Sequence, residues 1–85
     1  MLVTCHNTKF DVPDQLIDQF VKDFNSAPGG KYRENVLRIR CAIEEILGIV
    51  AKYPDLLFEK DKHTYFLRTL AMKQALEKLG ILYDS

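Results

Sequence analysis

The chain has 85 residues, 47% of them hydrophobic and 28% charged, with twelve basic and twelve acidic side chains that cancel to a net charge of zero. That length holds one domain, and the composition excludes a disordered chain. Charge neutrality leaves no global field to draw the protein to nucleic acid or an anionic membrane. Two cysteines, Cys5 and Cys41, are too few for a disulfide framework and read as free, partly buried thiols. The start of the chain does not resemble a targeting signal, and the longest apolar run, residues 46–51, is too short to span a bilayer. A soluble cytoplasmic protein with no membrane contact is expected.

Residues 1–10 alternate loosely and read as a short extended N-terminal arm, or a hairpin turning at His6-Asn7. A first helix is predicted over 11–25, with Asp11 as N-cap, Pro13 in the first turn and Asp14 three residues after the cap. Its apolar face is Leu16, Ile17, Phe20 and Phe24, with Val12 at its root and Val21 alongside. Ala27-Pro28-Gly29-Gly30 breaks it.

The second helix is predicted over 31–52, ending ahead of Tyr53-Pro54. Val36, Ile39, Ile43, Ile46, Val50 and Tyr53 form a seam at spacings of three and four, and Leu37, Ala42, Leu47, Ile49 and Ala51 widen it beyond the stripe a surface helix needs. Such a helix has to be covered on more than one side, which makes it the expected centre of the fold. Gly48 inside it points to close approach by another helix.

A third helix is predicted over 62–79, stopped by Gly80. Tyr65, Met72, Leu76 and Leu79, with Ala71 and Ala75, form its main stripe. Phe66 and Leu70 project elsewhere, next to Lys73 and Glu77. The expected architecture is therefore all-α: a small three-helix bundle in a single domain, with the second helix central.

Phe66 and Leu70, with Tyr83 from the tail, form a candidate partner-binding knob. The knob and the over-wide second helix together predict self-association as a homodimer or higher oligomer. Lys31, Arg33, Arg38 and Arg40, set against Glu34 alone, follow a glycine break and open a helix, which suits an anion or an acidic partner. No catalytic residue, cofactor or metal site is predicted. Cys5 and His6 are adjacent on an extended segment and face opposite ways, and no serine has a nucleophile-like context.

Val12-Pro13-Asp14-Gln15-Leu16, preceded by an extended segment and followed by a glycine break and a second helix, resembles the element order of ribbon-helix-helix DNA-binding proteins over about the first half of the chain. That resemblance implies a dimer whose paired strands would offer Lys9, Asn7 and His6 to base edges. Asp11, Asp14, Asp18 and Asp23 depart from what phosphate neutralisation needs. Glu44-Glu45, preceded by Arg40, resembles the Glu-Glu-x-x-Glu pattern of the all-α nucleotide pyrophosphohydrolases, which implies bound magnesium. Here Gly48 replaces the third glutamate, and Arg68 and Lys73 stand where that family has acids. The function expected is that of a small non-enzymatic adaptor, inhibitor or regulatory protein working through a protein partner. A ribbon-helix-helix-like DNA-binding regulator is the first alternative, and a helical phosphate- or nucleotide-binding protein using the basic cluster is the second.

Overall fold

The computed structural model describes residues 1–26 and 34–81. The chain opens as an antiparallel hairpin, β1 (Leu2–Cys5) with β2 (Thr8–Asp11), in the register Leu2 to Asp11, Val3 to Phe10, Thr4 to Lys9 and Cys5 to Thr8. His6 and Asn7 form the two-residue turn, with φ of 50° and 65°. Both angles positive is the type I′ geometry, whose twist matches that of paired strands, and asparagine tolerates the left-handed region well. The Val12 amide extends the pairing by donating to the Met1 carbonyl at 2.9 Å. Alternation turns Val3 and Phe10 inward to burial and leaves Leu2, Thr4 and Lys9 exposed.

α1 (Asp14–Ser26) follows directly, its first turn closed by the Pro13 carbonyl, which accepts from the amides of Leu16 and Ile17. Asp11 is not the N-cap, because it is the last residue of β2 and its backbone pairs with Leu2. Ile17 and Phe24 are buried and Leu16, Phe20 and Val21 half-buried, as the helical spacing predicts. α2 (Val36–Lys52) ends at Tyr53, whose φ of −129° and ψ of 70° lie outside the helical region, as the residue ahead of proline requires. A 3₁₀ turn, Pro54–Phe58, and an extended Glu59 lead into α3 (Lys60–Lys78). Gly80, at φ 73°, ends α3: its amide bonds to the Glu77 carbonyl and that of Ile81 to the Leu76 carbonyl, the paired pattern of a Schellman motif.

The architecture differs from the expected one in two respects. The domain is small and mostly helical, with three α-helices among the described residues, but its N-terminal hairpin makes it other than all-α. The centre is α3, not the second helix. α1 makes its most extensive contact with α3, and the 3₁₀ turn and α2 also pack on α3. Along α3 the buried side changes. Phe66, Thr69 and Leu70 are enclosed in its first half, and Ala71, Ala75 and Leu76 in its second.

Phe66 and Leu70, expected as an exposed knob, are each only 1% exposed. The hairpin is what covers that side: the ring of Phe10 meets that of Phe66 edge-on, with centroids 4.9 Å apart and planes at 68°. Two short strands supply a layer that an inventory of helices omits. α2, relieved of the central place, buries only Ile43 and Leu47 fully and leaves Leu37 71% and Ile49 43% exposed. Among the described residues, a methyl group at Gly48 would meet nothing within 4 Å, so no described helix approaches it closely.

Candidate functional site

The incomplete cover of α2 opens a groove between α2 and α3. One part of it, about 350 Å³, has Ile46, Ile49 and Val50 of α2 on one wall and Tyr65 of α3 on the other, with the buried Phe66 beneath. Leu56 and Leu57 of the 3₁₀ turn close one end, and Asp61 and Lys62 form a polar lip. Ile46 and Tyr65 also line a second concavity of about 300 Å³, which continues along the same helices past Ala42 and Met72 to Phe20 of α1, with Arg68 on its rim. Sequence dictates this arrangement: Ile39, Ile46 and Val50 lie on the edge of the α2 seam nearest α3, with Ala42 and Ile49 one step further out.

Tyr65 stands between the two concavities and is 60% exposed. It was expected in the main stripe of its helix. Because α3 turns Phe66, Thr69 and Leu70 inward, Tyr65 is carried to the margin, where an apolar ring with a polar tip is well suited to a wet boundary. A larger depression of about 570 Å³ between α1 and α3 has a mixed lining, with Met1 and Ile17 beside the charged Asp14, Asp18, Glu77 and Lys78, and the 3.0 Å ion pair of Lys78 with Asp18 lies in its wall.

The other predicted site residues that the structure describes lie apart from one another. Phe66 and Leu70 belong to the core, and Tyr83, Lys31 and Arg33 lie outside the described residues. Arg38 is exposed on α2. Arg40 is half-buried and its Nη2 donates to the Ile81 carbonyl at 2.8 Å, so it ties the start of α2 to the segment after α3. The basic pair that remains is split between a surface role and a structural one. Glu44 and Glu45 are exposed, and among the described residues no three His, Cys, Asp or Glu side chains converge on a point.

β2 pairs with β1 of its own chain, whereas the ribbon-helix-helix resemblance calls for one strand per chain, paired across a dimer. His6 faces α2, its Nε2 at 3.0 Å from the Leu47 carbonyl. Of the two free thiols, Cys41 is exposed. Cys5 is half-buried, and desolvation pushes its pKa up against the weaker opposing field of Lys73. No described helix is long and apolar enough to cross a membrane.

Compared with known proteins, the chain matches no family model, no curated sequence and no solved structure. The groove is a feature that sequence reasoning missed. Its signal was the excess width of the α2 seam at Ile49 together with Leu56 and Leu57 in the connector, apolar side chains with no place in a single stripe.

Proposed function

We propose that the protein is a small non-enzymatic adaptor or regulatory domain of the cytoplasm that binds a protein partner through the α2–α3 groove. The observation that carries this reading is an open, apolar channel walled by Ile46, Ile49, Val50, Leu57 and Tyr65, with charge confined to the lip at Asp61, Lys62 and Arg68. Apolar walls with sparse polar groups at the margin suit a hydrophobic ligand surface, and two adjoining concavities that share Ile46 and Tyr65 suit an amphipathic helix. Such a partner would seat apolar side chains three, four and seven residues apart and turn its polar face to water. Phe66 acts from beneath, as part of the floor, so the anchors are the exposed Ile49 and Tyr65 in place of the knob first expected.

Methyl-resolved NMR, titrating an amphipathic helical peptide with leucines at that spacing, tests the reading. Shifts should concentrate on Ile46, Ile49, Val50 and Leu57 and vanish in Tyr65→Lys. Shifts scattered over the surface, or unaltered in that variant, would overturn it.

A further inference from the structure

Beside the groove, α2 carries a second surface that no described residue covers, with a charge pattern of its own. Arg38, Glu45 and Lys52 are all exposed and are seven residues apart. Seven residues are about two turns, so the three lie almost on one line along the helix with alternating sign. Gly48 lies between the last two. It is exposed, disfavours the helix relative to alanine, and has no neighbour within 4 Å of the place a side chain would take. Nothing among the described residues requires it. Ile49 is 43% exposed next to it, and Tyr53, also exposed, ends the row with the Lys52 ammonium 5.6 Å from its ring centre.

We propose that this side of α2 docks a second copy of the chain, α2 against α2 and antiparallel, crossing at Gly48. The charge row selects the register. Parallel helices would set Arg38, Glu45 and Lys52 each against its own kind. An antiparallel pair centred on Glu45 would set that carboxylate against itself and Arg38 against Lys52. Centring the pair between Gly48 and Ile49 instead places Glu45 opposite Lys52 of the second copy, and symmetry repeats the contact. The same register brings the two backbones together where there is no side chain to hold them apart, and sets Ile49 at the crossing. The other charge-matched register, Arg38 opposite Glu45, leaves Ile49 against the exposed Glu34 and gives Gly48 no task. The surface shares only Ile49 with the groove, so this association goes beyond the binding of a partner there.

Sedimentation velocity from micromolar to millimolar concentration is the test. The natural chain should pass from monomer to dimer. Glu45→Lys and Lys52→Glu should each weaken the dimer about tenfold, and the double variant carrying both should restore it. Gly48→Ala should also weaken association without lowering the melting temperature of the dilute monomer. A chain that stays monomeric to millimolar concentration, a double variant no tighter than the single ones, or a Gly48→Ala chain that dimerises like the natural one would overturn the proposal. The charge swap leaves Ile46, Leu57 and Tyr65 in place, so peptide binding in the groove can fail or persist independently of it.

Discussion

Residues 65 and 66 are neighbours in sequence and opposites in the structure, which makes them a sharp test of how α3 is oriented. Phe66 is 1% exposed and meets Phe10 edge-on, while Tyr65 is 60% exposed. Truncating a buried phenylalanine to alanine removes its transfer energy and leaves a cavity, together about 3–5 kcal/mol. A domain of this length has roughly 4–13 kcal/mol in all, so Phe66→Ala removes a large part of it and lowers the melting midpoint by more than about 12 °C. Tyr65→Ala should cost less than about 1 kcal/mol. Chemical denaturation followed by circular dichroism measures both, and a double-mutant cycle with Phe10→Ala should return a coupling of about 0.5–1.5 kcal/mol from the ring pair. The reasoning fails if Tyr65→Ala is the costlier change, or if Phe10 and Phe66 prove additive, since either result would separate the hairpin from α3.

Other substitutions probe the elements that hold this arrangement. Asn7→Val puts a β-branched residue at φ 65° and should cost about 1–2 kcal/mol, seen as faster amide exchange at Val3 and Phe10. Gly80→Ala, at φ 73°, should cost about 1 kcal/mol by thermal melting and fray the last turn of α3. A thiol reagent at neutral pH should modify Cys41 quickly and Cys5 slowly in the folded protein, with equal rates after denaturation. Because burial raises the Cys5 pKa, folding favours its protonated form, so the folded state gives up stability as pH climbs from the ordinary thiol range through that raised value. Cys5→Ser should flatten that part of the stability profile, measured by denaturation at stepped alkaline pH.

Local signals were read well and the assembly was not, for a physical reason. The His6-Asn7 turn, the apolar face of α1, the stop at Tyr53-Pro54 and the cap at Gly80 each depend on a few adjacent residues, and the structure has all of them. The orientation of α3 depends on Val3 and Phe10, more than fifty residues away in sequence, and no periodicity within α3 encodes their arrival. A helix touched on successive sides has no single stripe, so Phe66 and Leu70 looked like outliers when they were part of the core. The groove was hidden by the same error. Once α2 was taken as the centre, Ile49 was assigned a cover that the hairpin had drawn away to α3.

The pairing of Phe10 with Phe66 also governs the order in which the molecule can be built. The most extensive contact of α1 and the ring that meets Phe10 both lie on α3, so a nascent chain that stops short of Lys60 lacks the main surface on which its first elements close. The N-terminal half must then wait with Phe10, Phe24 and Ile43 uncovered until α3 emerges, and ribosome-bound intermediates lacking that helix should be the species that chaperones engage.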